Sequence, residues 1–187
     1  IGYQALRNST GSNNTAVGLS SLTNNSTGAN NTAVGLQSLF NNTTGIDNTS
    51  VGINSLLTNS TGSSNTSFGT SALRFSTGSN NTAIGFTALL NNTSSNNTAV
   101  GFEAALSNTS GAGVTAIGYQ ALRLSTGNAN TAVGFAALDA NTTGINNIAI
   151  GVNALGANTT GNGHIAIGNN ALSNTNTQQA NIAIGHE

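Results

Sequence analysis

Apolar residues recur along this chain in short clusters, separated by runs of Asn, Thr, Ser and Gly. The clearest landmark is Ala-Val-Gly or Ala-Ile-Gly, whose Gly returns every 16 or 17 residues. A second landmark, Thr-Gly, stands seven residues before the next landmark Gly. The landmark glycines are Gly2, Gly18, Gly35, Gly52, Gly69, Gly85, Gly101, Gly118, Gly134, Gly151, Gly168 and Gly185. Self-similarity at such a short, fixed period predicts a solenoid.

Each repeat contains two short β-compatible pieces, such as residues 31–35 and 36–40, followed by a turn rich in Asn, Thr and Gly. Helix formers are scarce, which excludes a helical repeat, and Gly and Asn suit tight turns. The pattern therefore predicts an all-β fold, a parallel β-solenoid of 16–17-residue coils. Each strand pairs with its equivalent about 4.8 Å away. We expect residues 1–187 to form one continuous array of about eleven coils, a slice of a longer fibre.

Stacking in register would place identical side chains above one another, so that Asn side chains form an amide ladder and apolar columns form a core. The predicted ladder comprises Asn14, Asn31, Asn48, Asn65, Asn81, Asn97, Asn130, Asn147 and Asn181. The predicted core comprises Val17, Val34, Val51, Leu22, Leu39, Leu56, Leu73, Leu89, Leu122, Leu138, Leu155 and Leu172. In the repeat at 102–106, the alignment puts Leu106 in the Leu column, preceded by the extra residue of that repeat.

The Ala before each Val or Ile stays small in every copy. Along a strand, Thr and Val share one face and Ala points to the other. An outward column held small indicates close approach of another backbone, so it predicts a homo-oligomer of parallel rods. The alternative is that Ala occupies a tight position inside one rod. The interface candidates are Ala16, Ala33, Ala83, Ala99, Ala116, Ala132, Ala149 and Ala166.

Composition narrows the function classes. Only 4% of residues are charged, against about 25% in an ordinary soluble domain. Without a basic patch, nucleic-acid binding is not expected. No apolar run is long enough for a membrane span within this segment, and the absence of Cys excludes disulfides and thiolate metal sites. A charged column would repel itself at each step of a stack, so low charge suits a solenoid.

Catalytic chemistry has few candidates in this sequence. No converging nucleophile, base and orienting group can be recognised, so we expect neither an enzyme nor a cofactor nor a metal. Three Arg residues share one position in the repeat, which indicates either a solvated face or a groove for an anionic ligand. The titratable side chains considered are His164, His186, Asp47, Glu103, Asp139, Glu187, Arg7, Arg74 and Arg123.

Two polar features suggest further hypotheses. Asn-x-Ser/Thr motifs are candidates for glycosylation, although turns and ladders use the same residues. The candidates are Asn8, Asn42, Asn108, Asn141 and Asn158. Regular Thr columns could also order water at an ice surface, although a paired Thr-x-Thr array is absent.

The motif Asn-Thr-Ala-Val/Ile-Gly-x-x-Ala-Leu, seen at 31–35 and again in the form of 147–151, runs the full length of the chain. It resembles the head repeats of YadA-like trimeric autotransporter adhesins and related repeats in bacterial and viral surface or tail fibres. The resemblance implies a left-handed β-roll, three chains side by side, and an extracellular, surface-exposed adhesive head or stalk.

These observations favour a structural or adhesive fibre segment on the cell surface. Its expected partners are copies of itself, with a trimer favoured, and a host matrix, a glycan or another cell surface. The alternatives are a phage or viral tail-fibre shaft and an ice- or glycan-binding β-solenoid module.

Overall fold

A computed structural model describes residues 1–176 and 180–186, and Gln178 and Glu187 lie outside this part. It contains eleven strands of three residues each. They are β1 (Thr15–Val17), β2 (Thr32–Val34), β3 (Thr49–Val51), β4 (Thr66–Phe68), β5 (Thr82–Ile84), β6 (Thr98–Val100), β7 (Thr115–Ile117), β8 (Thr131–Val133), β9 (Ile148–Ile150), β10 (Ile165–Ile167) and β11 (Ile182–Ile184). All belong to one sheet in chain order. The all-β parallel solenoid is confirmed.

Pairing between coils is in register, as the repeat predicts. Each strand pairs in parallel with the next, Thr15 with Thr32 and Val17 with Val34 in the first pair. The turns stack in the same way, because the N–H of Leu22 donates to the carbonyl of Ser38 at 3.0 Å in the next coil. Backbone hydrogen bonds therefore run along the axis in the turns as well as in the sheet.

The turns depend on left-handed backbone conformations. The Leu column has φ between 49° and 54°, a region that disfavours non-Gly residues unless the surroundings hold them there. The landmark Gly has a larger positive φ, 137° at Gly52, where a Cβ would lie 2.4 Å from the carbonyl oxygen of Gly69. Only glycine fits this corner, which explains why the Gly is constant.

The sheet turns the opposite face inward from the one we predicted. The central residue of strands β1–β10 is buried, whereas the flanking Thr and Val point outward and Val17 is 39% exposed. Val17, Val34 and Val51 are therefore not core residues. A 16–17-residue coil encloses a narrow interior, which has room for Ala but not for a second large apolar column. The Ala residues that we took as interface candidates lie in the core: Ala16, Ala33, Ala83, Ala99, Ala116, Ala132, Ala149 and Ala166.

Leucine supplies the large side chains of the core. The fully buried members are Leu22, Leu39, Leu56, Leu73, Leu89, Leu122, Leu138 and Leu155, and Leu172 packs against them partly buried. The repeat at 102–106 corrects our alignment. Ala105, with φ 50° and no exposure, occupies the Leu position, and Leu106 does not. The length difference between coils thus lies in the turn throughout.

Five buried serines replace core alanines in neighbouring coils, and four of them, Ser38, Ser50, Ser55 and Ser67, form one chain of hydrogen bonds. Ser38 donates to the hydroxyl of Ser50 at 2.8 Å, and Ser50 donates to that of Ser55 at 2.9 Å. The hydroxyls of Ser55 and Ser67 lie 2.6 Å apart, and Ser67 donates to the carbonyl of Ala72 at 2.9 Å. Because every hydroxyl has a partner, the narrow core tolerates them at little cost.

Candidate functional site

The predicted Asn column is a hydrogen-bonded ladder with backbone partners. The side-chain oxygen of Asn31 accepts the backbone N–H of Asn48 at 3.0 Å. The amide nitrogen of Asn31 donates to the carbonyl of Gly45 at 2.8 Å. Each buried amide thus ties the start of one strand to the turn of the next coil, rather than only to the amide above it.

Two substitutions occur in this column: Val114 interrupts the ladder, because its side chain has no acceptor for the next coil, whereas His164 continues it. Val114 takes the Asn position and its N–H still donates to the oxygen of Asn97 at 2.9 Å. His164 is also fully buried there; its N–H donates to Asn147 at 2.9 Å, and its Nδ1 accepts the N–H of Asn181 at 3.1 Å. The imidazole therefore replaces the Asn oxygen as acceptor, which is a structural role.

A second amide column lies in the turn, and we did not predict it as a ladder. Asn42 donates to the oxygen of Asn25 at 2.7 Å and to the carbonyl of Gly45 at 3.0 Å. Asn59 donates to Asn42 at 3.0 Å in the same way. The sequence carries the signal, since coils with Asn here are mostly 17 residues long and coils with Ser have 16.

This second column corrects the glycosylation hypothesis at four positions. Asn42, Asn108, Asn141 and Asn158 are buried, and the amide nitrogen of each donates to a carbonyl three residues on. A glycan on that nitrogen would displace both the ladder bond and the turn. Asn8 is exposed and stays a candidate.

Turn hydroxyls form a further ladder on the polar side of the rod. The hydroxyls of Thr126 and Thr142 each donate at 2.9 Å to a carbonyl of the next coil, at Thr142 and Thr159 respectively. The Ser and Thr hydroxyls of the turns thus donate hydrogen bonds to backbone carbonyls of the next coil, in addition to facing water. These hydrogen bonds explain why Ser and Thr recur in the turns.

The exposed feature that the core does not explain is an apolar ridge. We give this name to two columns that flank the landmark Gly: the last residue of each strand and the residue after the Gly. Examples are Ile117 and Tyr119 on either side of Gly118, which are 39% and 44% exposed. The exposed members of the second column are Tyr3, Leu19, Leu36, Ile53, Phe86, Phe102, Tyr119, Phe135 and Val152.

Four aromatic rings stack in the middle of this ridge. Phe86 and Phe102 have ring centroids 5.4 Å apart, Phe102 and Tyr119 5.2 Å, and Tyr119 and Phe135 5.1 Å, with planes within 12°. Each ring covers the face of its neighbour, so the stack presents ring edges outward. It forms a continuous apolar rib of half-exposed edges, rather than a set of open faces.

Within the part of the chain that the structure describes, the charged residues do not converge on a site. Arg123 donates to both carboxylate oxygens of Asp139 at 2.9 and 3.3 Å, and this hydrogen bond raises the pKa of Arg123. The guanidinium of Arg74 lies 5.0 Å from the ring of Phe75, and Arg7 is four coils away from it. The three Arg residues therefore do not form one anion groove.

The other titratable residues of the described part are dispersed, except that Glu103 interacts electrostatically with Arg123. Among the described residues, no three His, Asp or Glu side chains are grouped so that they could hold a metal ion. A hollow of about 380 Å³ at the last described coil is lined by Leu172, Ile184 and His186 among others. His186 is the single titratable side chain among the described residues that line it. Within residues 1–176 and 180–186, no helix has the length and hydropathy needed to cross a bilayer.

Comparison with protein families, with curated proteins and with solved structures found no match for this chain. The parallel solenoid of about 17-residue coils is therefore established by the structure, and not by similarity to a known protein. The membership among YadA-like adhesin repeats, which the motif suggests, stays a prediction.

Proposed function

We propose that this chain is a structural segment of an extracellular fibre, working as a stiff and nearly neutral rod rather than as an enzyme. The observation that carries the proposal is the continuity of the ladders. The described coils are joined to their neighbours by backbone bonds throughout and, at most steps, by buried side-chain bonds in equivalent places, the step after Val114 being an exception. Such a stack is a quasi-one-dimensional rod, since each coil contacts only its neighbours.

Composition supports the same role. The chain has a formal net charge of -1 at pH 7 and no Cys, so its stability rests neither on disulfides nor on ionic networks that salt would screen. Its surface repeats every coil, which suits presentation of one chemistry along a fibre. Adhesion to a host matrix, glycan or another cell surface is the finer form of this proposal, supported by the resemblance of the motif to adhesin repeats.

Immunoelectron microscopy with antibodies raised against the folded chain tests this role. We expect labelled filaments on intact, unpermeabilised source cells. Label on released virus-like particles would instead assign the rod to a tail-fibre shaft. Label that appears only after permeabilisation would contradict the extracellular placement.

A further inference from the structure

His164 is a titratable side chain inside the rod. It stands in the Asn column immediately before β10, and among the described residues it is the one titratable side chain with no exposed surface. Its Nδ1 accepts the backbone N–H of Asn181, immediately before β11, at 3.1 Å. A neutral imidazole that accepts at Nδ1 carries its proton on Nε2. The folded rod therefore holds one tautomer of this ring.

Acid removes the acceptor at this position but not at the others of the column. The oxygen of Asn147 accepts the N–H of His164 at 2.9 Å, and an amide oxygen stays an acceptor in mild acid. An imidazole exposed to water takes up a proton below about pH 6.5, and both of its ring nitrogens are then donors. Protonated His164 would direct one N–H at the N–H of Asn181 and would hold a charge in the interior, which burial disfavours.

No charge faces the imidazole to offset that cost. Between Asp139 and His186, His164 is the only titratable residue of the sequence. The carboxylate of Asp139 binds Arg123 in the coil on its far side, at 2.9 Å. The ring of His186 lies on the surface, 3.4 Å from the amide nitrogen of Asn169. The coils around His164 therefore contain nothing that would stabilise its protonated form.

The step from β10 to β11 depends on the His164 bond, because the second amide column is interrupted there. Thr175 stands where most coils have Asn. The oxygen of Asn158, one coil earlier, accepts the N–H of Gly161 in its own turn at 3.0 Å, and no described residue after Gly168 donates to it. The bond between Asn181 and His164 is thus the contact through which the amide columns join these two coils.

We propose that His164 is a pH-sensitive switch, which keeps β11 paired with β10 at neutral pH and releases it in mild acid. A proton from solvent binds Nδ1, the bond to Asn181 is lost, and β11 separates so that the imidazolium reaches water. The proton returns to solvent when the strands pair again, so the change is reversible. This inference goes beyond the fibre role and does not require it.

The direction and size of the effect follow from one proton. The paired form cannot hold a proton on Nδ1 and the separated form can, so falling pH favours separation. For one imidazole that protonates in water at about pH 6.5, the ratio of separated to paired form rises about 30-fold between pH 7.5 and pH 5.0. Above about pH 7.5 the ratio should be constant.

Hydrogen exchange of the full 187-residue chain, detected by NMR and corrected for the intrinsic effect of pH on exchange, tests the proposal. We expect the amides of Asn181 and Gly185, which donate to His164 and Ile167, to lose about 30-fold in protection from pH 7.5 to pH 5.0.

The rod contains a matched control at its other end. Asn31 and Gly35 occupy the equivalent positions around β2, where their amides donate to Asn14 and Val17, and residues 8–46 include no titratable side chain. Protection of these two amides should change less than about twofold.

Two variants separate the switch from a general effect of acid. His164→Asn restores the usual residue of the column, whose oxygen accepts at both pH values, so protection of Asn181 should change less than about twofold. His186→Gln removes the other histidine and should keep the 30-fold change of the wild type.

The nitrogen-15 shifts of the His164 ring give a second readout. At pH 7.5 we expect Nδ1 without a proton and Nε2 with one, and the reverse tautomer would overturn the proposal. So would an Asn181 amide that is unprotected at pH 7.5 or equally protected at pH 5.0. A loss of equal size at Asn31, or a pH dependence that persists in His164→Asn, would show that acid acts elsewhere and would also overturn it.

Discussion

At the scale of single residues, this fold depends on amides that bond to the backbone. Asn147 shows the pattern: its oxygen accepts the N–H of His164 at 2.9 Å, and its nitrogen donates to the carbonyl of Gly161 at 2.8 Å. A hydroxyl or an aliphatic side chain could not make both bonds across that distance. The column is Asn because one side chain must both donate and accept.

We predict that Asn147→Ala lowers the free energy of unfolding by about 2–4 kcal/mol, since it removes both bonds and leaves the N–H of His164 buried without its acceptor. Asn146→Ala, one residue away, should lower it by less than about 1 kcal/mol, because Asn146 is exposed and Ala129 already occupies the equivalent position with φ 54°. Urea unfolding of both variants checks this. Equal losses would show that the ladder is not the source of the stability.

One step of the second amide column is incomplete. The oxygen of Asn59 and the hydroxyl of Ser76 are both buried without a hydrogen-bond partner, although they occupy neighbouring positions of the column. Asn92 shows that a 16-residue coil can hold Asn at this point, where its nitrogen donates to the carbonyl of Ser94 at 2.7 Å. The missing hydrogen bond between Asn59 and Ser76 is therefore explained by the short side chain of Ser76.

We predict that Ser76→Asn raises the free energy of unfolding by about 0.5–1.5 kcal/mol, because the new amide can donate to Asn59. Thermal unfolding measures the effect. Ser76→Ala serves as the control and should give a smaller gain, since it removes the unpaired hydroxyl without adding a donor. A loss of stability in Ser76→Asn would mean that the turn has no room for an amide.

At the scale of the element, the sequence predicts the strands and their register well. Stacking equivalent residues is the one pairing that keeps every column constant, so Thr15 opposite Thr32 follows from the repeat alone. The orientation of the strand does not follow. Alternation separates Ala16 from Val17, but a three-residue strand does not show which side faces the interior. The width of the coil decides which side chains fit inside it. That width depends on left-handed turns at Leu, and Leu is not a residue type from which a left-handed conformation would be predicted.

The corner after each strand has its own prediction. Gly52→Ala should lower the free energy of unfolding by more than about 3 kcal/mol, because its Cβ would overlap the carbonyl of Gly69 and its φ of 137° disfavours any side chain. Gly113→Ala should cost about 1–2 kcal/mol, since its φ is 67° and nothing lies within 4 Å of the added Cβ. Hydrogen exchange of the flanking coils distinguishes the two. Equal protection in both variants would contradict the role of this close approach.

At the scale of the whole molecule, the rod is a stack of similar coils. Its low charge now has a structural reason at two levels. Ladder columns exclude charge because equivalent side chains stack on one another, and the ridge lacks charge along its described length up to His186. Neither the ridge nor its exposure could be read from the sequence. The sequence of the Val and Phe columns would be the same if they formed the core. They are exposed because the Ala column occupies the interior of the coil.

Because each coil contacts only its neighbours, whole coils should be removable. Deleting residues 36–69, two 17-residue coils, joins Gly35 to Thr70 in the same phase. We expect this chain to keep a β-sheet circular dichroism spectrum and cooperative unfolding, with a rod about 10 Å shorter. Deleting residues 36–60, about one and a half coils, puts Leu and Asn columns out of phase and should abolish cooperative unfolding. If both deletions fold equally well, or both fail, stability is not carried by nearest-neighbour ladders, and the coil is not the unit of this structure.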